Sequence, residues 1–295
     1  FKRSLRAKYL AYFSVGIMEV IYTSNSSKIA KAAADKLSLS VSGCHVRRFS
    51  NGEISVSLQK NFSHVVIVAN TLTNDDWFEL FLLLDALKYA KDITLCLTYM
   101  GYMRQDTINP NESSAHFLLM RFLEHLNVSR LILVNNHNEP HIEKPFVHLS
   151  AMGLFADDIK NKYCSSEITI VSPDLGGAKN AQFVAEKLNC DLAVCAKSKD
   201  VFGRINKIQP IGNICNKICI LVDDIIDSGD TIRQATQALM NAGARAVAVY
   251  AVHGILSQGA IEKLTTSDIS EIHLTDSIER DLPENFKKIS IASLI

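Results

Sequence analysis

Lys217-Ile-Cys-Ile-Leu-Val-Asp-Asp-Ile-Ile-Asp-Ser-Gly-Asp-Thr-Ile232 changes character twice within one short stretch. Ile218–Val222 is almost entirely apolar, the pattern of a strand buried on both faces of a parallel sheet. It ends in two acids, Asp223 and Asp224. A turn of small and polar residues follows, Asp227, Ser228, Gly229, Asp230 and Thr231. From Thr231 to Asn241 the sequence reads as a helix, stopped by Gly243. A turn that opens a helix presents unpaired backbone N–H groups and the positive end of the helix dipole, which favour an anion. Ser228 and Thr231 add hydroxyls, and Gly229 permits close backbone approach. The acids stand at the C-terminal end of a strand, where open α/β sheets bind ligands. From there they can accept hydrogen bonds from sugar hydroxyls or reach a magnesium ion. Helix capping accounts for one oxygen acceptor in the turn but gives no reason for the two strand-end acids. Neither G-x-x-x-x-G-K-[ST] nor G-x-G-x-x-G occurs, so the other common phosphate loops are absent.

Strand-like and helix-like segments alternate on both sides of this stretch. Upstream, Glu19–Thr23 is a short apolar run, Ser24-Asn25-Ser26 is a cap cluster, and Lys28–Leu37 reads as a helix. Val65–Ala69 is a predicted strand. Asp75 and Asp76 are expected to cap a helix Trp77–Lys91, with Phe78, Leu82, Ala86 and Tyr89 along one face. Ile93–Tyr99 and Leu131–Val134 are predicted strands around a helix near 114–126. The pattern then restarts with strand Ile168–Ser172, helix Ala178–Leu188 and strand Leu192–Ala196, and beyond the quoted stretch come strands Ala246–Val252 and Glu271–Leu274. Such alternation predicts parallel sheets covered by helices. Two similar α/β domains are expected, at 18–158 and 159–295, with the last strand free to return to the N-terminal domain. Residues 1–17, basic and without an acid, read as an extension or tail ahead of Met18.

Composition narrows the classes of partner. Lys plus Arg and Asp plus Glu number 31 each among 295 residues, so the net charge is zero. Nucleic-acid binding, which rests on clustered cations, is not expected. The seven cysteines include no C-x-x-C pair and suit reduced thiols in a cytoplasmic protein. No apolar run reaches the length of a membrane span.

Leu221–Ile232 resembles the phosphoribosyl-diphosphate loop of type I phosphoribosyltransferases. Further segments resemble one family with that fold, ribose-phosphate pyrophosphokinase. They are Arg48-Phe-Ser-Asn-Gly-Glu53, Asn74-Asp-Asp-Trp-Phe-Glu-Leu80, Tyr102-Met-Arg-Gln-Asp106, Val171-Ser-Pro-Asp-Leu-Gly-Gly177, Val252-His-Gly-Ile-Leu-Ser257 and Leu274-Thr-Asp-Ser-Ile278. The resemblance runs in family order from Met18 to Ile295. It implies two phosphoribosyltransferase-like domains and a reaction in which diphosphate passes from ATP to the anomeric hydroxyl of ribose 5-phosphate, releasing AMP. It implies Mg2+, a hard ion held by oxygens and substrate phosphates. Asp223, Asp224, Asp227, Ser228, Gly229, Asp230 and Thr231 would then hold the sugar phosphate. Arg104, Gln105 and Asp106 would bind ATP, joined by Phe49, Asn51 and Glu53 from a neighbouring subunit of a homo-oligomer. His137 would lie near the metal-bound ATP and Asp174 near the metal. The stretch 196–206 is similar to the family's flexible catalytic loop, with Lys197 at the catalytic lysine and Lys199 at a following arginine that also meets the sugar phosphate. His141 and His148 are read as bystanders.

Four features depart from the family pattern: Asn135 replaces an aspartate, Ser198 and Lys199 replace a pair of arginines, 107–114 lacks basic residues, and Asp230 adds a charge to the phosphate loop. They leave two other readings open, a catalytically weak regulatory homologue and a phosphoribosyltransferase acting on a base.

Overall fold

Parallel pairing dominates both halves of the chain. The computed structural model describes residues 18–137, 142–199 and 205–295, without the side chains of 197–199 and 205–207. The extension at 1–17 and His141 lie outside the described residues, as do the side chains of Lys197, Ser198 and Lys199. The chain divides into two compact units between Val147 and His148.

The first unit contains β1 (Met18–Tyr22), α1 (Ser27–Leu37), β2 (Ser40–Gly43), β3 (His45–Arg48), β4 (Ile54–Ser57), β5 (His64–Thr71), α2 (Asn74–Ala86), β6 (Asp92–Met100), α3 (Ala115–His125) and β7 (Arg130–Val134). Its sheet runs β2-β1-β5-β6-β7, with β8 (Phe146–Leu149) at the edge, while β3 and β4 form a separate antiparallel hairpin. The second unit holds α4 (Met152–Lys162), β9 (Ile168–Ser172), α5 (Ala178–Leu188), β10 (Asp191–Lys199), β11 (Ile205–Ile211), β12 (Ile218–Ile226), α6 (Asp230–Asn241), β13 (Ala246–Gly254), α7 (Ala260–Thr265), β14 (Glu271–Thr275) and β15 (Phe286–Ile289). Its sheet runs β11-β10-β9-β12-β13-β14-β15, parallel except for β11. Setting aside the β3–β4 hairpin and the β11 arm, both sheets begin with the same order: second strand, first, third, fourth, fifth. The order reverses beside the first strand of each, between β1 and β5 and between β9 and β12.

The central strands are buried because helices cover both faces of a parallel sheet. β5 is buried from Val65 to Thr71, and β12 from Cys219 to Val222. Helix α6 presents Ile232, Ala235, Thr236 and Leu239 to the core, an i, i+3, i+4, i+7 stripe.

Several sequence expectations change. Helix α2 starts at Asn74 through a capping box of Thr73 with Asp76, and its buried residues are Trp77, Glu79, Leu80, Leu83 and Leu84. The helix ends at Ala86 and not at Lys91, and of the helically spaced set Phe78 is 55% and Tyr89 89% exposed. Trp77 and the Leu83–Leu84 pair outweigh it, having the larger apolar surface to bury. β10 does not stop at Ala196 but runs to Lys199 and pairs antiparallel with β11. β15 stays in the second sheet beside β14, held by the buried Phe286. Among the described residues, no helix is long and apolar enough to cross a membrane.

Candidate active site

Asp223 and Asp224 stand where the second sheet opens. β12 pairs with β9 only from Ile218 to Leu221, yet continues beside β13 to Ile226, with Asp223 opposite Ala251. The strand therefore does not end at Val222, as its apolar run suggests. It parts from one neighbour and keeps the other, which leaves both acids beyond the last β9 pair. This is the point of strand-order reversal, where crevices form in open α/β sheets.

The loop after β9 reaches the same place. Ser172 Oγ donates to the Asp174 carbonyl at 2.6 Å, and Asp174 Oδ1 accepts from the N–H groups of Gly176 at 3.0 Å and Gly177 at 3.2 Å. A Cβ on Gly177 would lie 3.1 Å from Ser172 Oγ and 3.8 Å from Asp223 Oδ1, so the loop passes close to the strand acid. Asp224 N–H donates to Asp223 Oδ1 at 2.9 Å. Burial foremost, then the charge and hydrogen bond of Asp224, and then Asp174, push the Asp223 carboxyl well above the usual carboxylate range. Asp223 thus keeps a proton to a higher pH than an ordinary aspartate.

The turn that follows is built on Gly229, the N-cap of α6, with φ +78°. An L side chain there is strained, and its Cβ would sit 3.2 Å from Leu264 Cγ. Gly229 has no side chain to cap the helix, and Ser228 Oγ accepts from the N–H of Asp230, the first helical residue, at 3.4 Å. The turn is braced from the segment after β13. Leu256 N–H donates to Ile226 O and Ser257 N–H to Asp227 O, both at 3.1 Å, and Arg280 Nη1 donates to Leu256 O at 2.9 Å. The charge that Asp230 brings to the turn is met by Lys263 Nζ at 3.0 Å, with Ser228 Oγ also donating to it at 3.0 Å. Lys263 first and Ser228 next hold the Asp230 carboxyl below its usual range. Sequence reading did not single out Lys263 or Arg280. The nearby signal was Val252–Ser257, whose role in bracing the turn is a tertiary feature.

In the first unit the segments of interest follow neighbouring strands. Tyr102–Asp106 is a turn just after β6: Gln105 N–H donates to Tyr102 O at 2.9 Å, and Ser114 Oγ donates to Gln105 O at 2.8 Å. Arg104 and Gln105 are exposed and Asp106 is half-buried. Gly101 is forced by crowding, since a Cβ there would lie 2.1 Å from Thr71 O. His137, exposed, follows the adjacent β7. Asn135 is buried with φ +42°. Asn tolerates this left-handed backbone, and a neutral amide is cheaper to bury there than a carboxylate. Phe49–Glu53 is the tip of the β3–β4 hairpin. Phe49 N–H donates to Glu53 O at 2.8 Å, Asn51 Oδ1 accepts from Glu53 N–H at 3.2 Å, and Arg47 lies 4.8 Å from the ring of Phe49, which is 39% exposed. Arg48 ties the hairpin to α2 by a 2.7 Å ion pair with Asp75.

Among the described residues, no three His, Cys, Asp or Glu side chains are gathered to hold a metal ion alone. His137 and Asp174 belong to different units. Magnesium needs only one or two carboxylates from a protein, and Asp174 is an oxygen donor of that kind.

Two helix-flanked parallel sheets of this order, with paired acids leading into a small-residue turn at a helix start, define a protein of the phosphoribosyltransferase fold class. Residues 18–126 match the N-terminal domain of ribose phosphate pyrophosphokinase, and residues 203–295 match the phosphoribosyl synthetase-associated domain. The ribose-phosphate pyrophosphokinase of Granulibacter bethesdensis is 33% identical over 292 residues, covering 94% of this chain and 94% of the relative. That of Rhizobium meliloti is 34% identical over 290 residues, covering 93% and 94%. The chain belongs to the ribose-phosphate pyrophosphokinase family. It is also similar to the crystal structure of phosphoribosylpyrophosphate synthetase from Mycobacterium smegmatis, with TM-score 0.86 and 28% identity over 95% of this chain and 96% of that one.

Proposed function

We propose that this protein is a ribose-phosphate diphosphokinase, which transfers diphosphate from ATP to the anomeric hydroxyl of ribose 5-phosphate and yields phosphoribosyl diphosphate and AMP. The observation that carries the reading is the placement of Asp223 and Asp224 at the strand-order reversal, leading into the Asp227–Thr231 turn. Asp223 and Asp224 hydrogen-bond the ribose hydroxyls. The 5-phosphate lies against the N–H groups at the start of α6, near Gly229 and the Thr231 hydroxyl, where the helix dipole favours its charge.

Arg104 binds ATP phosphates through its guanidinium fork, and Gln105 and Asp106 complete that turn. Magnesium bound with ATP would supply charge neutralisation at the transferring phosphates; His137 is the residue proposed near the metal-bound ATP, and Asp174 is a carboxylate proposed for the metal. Lys197 stabilises charge that develops in the transition state, and Lys199 meets the sugar phosphate. The exposed hairpin tip of Phe49, Asn51 and Glu53 supports an ATP site completed by a second copy, hence a homo-oligomer. The protein works in the cytoplasm.

Two departures from the family pattern have local explanations that favour the active enzyme over a regulatory homologue. Asn135 fits its buried left-handed backbone, and the Asp230 charge is matched by Lys263. Calorimetric titration with ribose 5-phosphate tests the site. Asp223→Asn together with Asp224→Asn should weaken binding by about tenfold or more, the scale of one lost charged hydrogen bond. Unchanged affinity would overturn the assignment.

A further inference from the structure

Asp230 is the N1 residue of α6, so its carboxylate stands at the helix end that the proposed function gives to a phosphate dianion. A negative charge there opposes the ligand. The groups around it are Ser228 on the turn itself, Arg233 one turn along α6, and Lys263 on α7. Lys263 makes the direct ion pair, 3.0 Å from Oδ2, with the two side chains 39% and 45% exposed. α7 is tied to the same turn at two further places. Leu264, the next residue, packs against the Gly229 position, and the chain leading into α7 bonds Ile226 and Asp227 through Leu256 and Ser257.

We propose that Lys263 is a positioning residue of the sugar-phosphate site: it draws the Asp230 carboxylate towards α7 and cancels its charge, so that the N-terminus of α6 can accept an anion. This rests on the assignment of that helix end to the 5-phosphate. Lys263 acts through Asp230 and need not touch the ligand. The pair is half-exposed, so it adds little to folding stability. Its effect falls on a doubly charged ligand, for which one uncancelled charge nearby is felt more strongly.

The test is a charge cycle on the intact chain. Lys263→Met, Asp230→Asn and the double variant are titrated with ribose 5-phosphate by calorimetry and, in parallel, assayed for kcat and KM. Lys263→Met should raise both the Kd and the KM for ribose 5-phosphate by about tenfold, the effect of one uncancelled charge near a dianion in a largely aqueous site. kcat should change much less, the KM for ATP should hold, and the loss should shrink at high salt. The double variant should recover most of the affinity, since removing Asp230 removes the charge that Lys263 opposes, and Lys263→Arg should retain it. A merely structural lysine would show no such recovery. If Lys263→Met binds ribose 5-phosphate as the unmodified chain does, or if the double variant is no better than Lys263→Met, the proposal is wrong while the site stands. If the unmodified chain itself binds no ribose 5-phosphate, the assignment of the site fails and this inference with it. Thermal midpoints within a few degrees across the set separate charge effects from misfolding.

Discussion

Replacing Gly229 by alanine places a methyl group at the hinge between β12 and α6. Gly229 has φ +78°, and its new Cβ would sit 3.2 Å from Leu264 Cγ and 3.4 Å from Leu264 Cδ2. The left-handed backbone costs an L residue ~1–2 kcal/mol. The tight contact adds to this, because overpacking a filled site costs about 1 kcal/mol or more unless the neighbour moves. A destabilisation of about 2 kcal/mol is therefore expected. Gly243 supplies the control, with φ +88° but a Cβ 3.5 Å from Cys215 Sγ, an ordinary contact at the far end of α6. Gly243→Ala should cost only the backbone term of about 1 kcal/mol. The variants should differ more sharply in binding. Easing the Leu264 contact moves the turn and misdirects the N–H groups at the start of α6, so Gly229→Ala should lose about tenfold in ribose 5-phosphate affinity, the worth of one charged hydrogen bond. Gly243→Ala should lose none. Urea unfolding gives the stabilities and calorimetry the affinities. If both variants bind ribose 5-phosphate equally well, the turn at Gly229 does not hold the phosphate.

Three other outcomes are expected. Asp223 has a carboxyl raised by burial and by Asp224, so the stability of its protonated form is complete below the ordinary range near ~4 and is lost as pH rises through the raised value. The thermal midpoint of Asp223→Asn should accordingly gain on that of the unmodified chain as pH rises above the ordinary carboxylate range, and a pH-independent difference would contradict the shift. Tyr250 is fully buried and its hydroxyl donates to Asp158 Oδ2 at 2.7 Å; Tyr250→Phe should cost about 1–2 kcal/mol, at the lower end for a bond to a charged group because Asp158 reaches solvent. An unchanged urea midpoint would show that water replaces that bond. Lys197→Ala should lower kcat by ~10²-fold or more with a much smaller change in the KM for ATP, as expected for a group acting on the transition state, and a retained rate would remove Lys197 from the catalytic role.

The fold class was readable because a parallel sheet leaves a strong local imprint. Ile218–Val222 and Val65–Ala69 are apolar without alternation, and each is followed by turn residues and then a helix. What failed was local in another sense. Phe78, Leu82 and Ala86 share a helical spacing, but Trp77, Leu80, Leu83 and Leu84 have more apolar surface and take the buried side, and Tyr89 lies past the helix end at Ala86. The extension of β12 to Ile226 could not be read from residue types, since Asp223 and Asp224 remain in a strand only because β13 continues beside them. The hairpin at 45–57 forms a sheet of its own, and the apolar–polar alternation of Ile54–Ser57 runs over only four residues, too few to stand out. In the site, Asp223 through Thr231 are contiguous and stood out together. Lys263 lies 33 positions from Asp230 along the chain, and only the packing of α7 on the turn unites them.

The central claim is transfer of an intact diphosphate group, and phosphorus NMR of the reaction mixture tests it most directly. With ATP, magnesium and ribose 5-phosphate, the unmodified chain should produce AMP and phosphoribosyl diphosphate in equal amounts, with no ADP and no free diphosphate at early times. Formation of ADP with a singly phosphorylated product, or the absence of any transfer by the intact chain, would contradict the account.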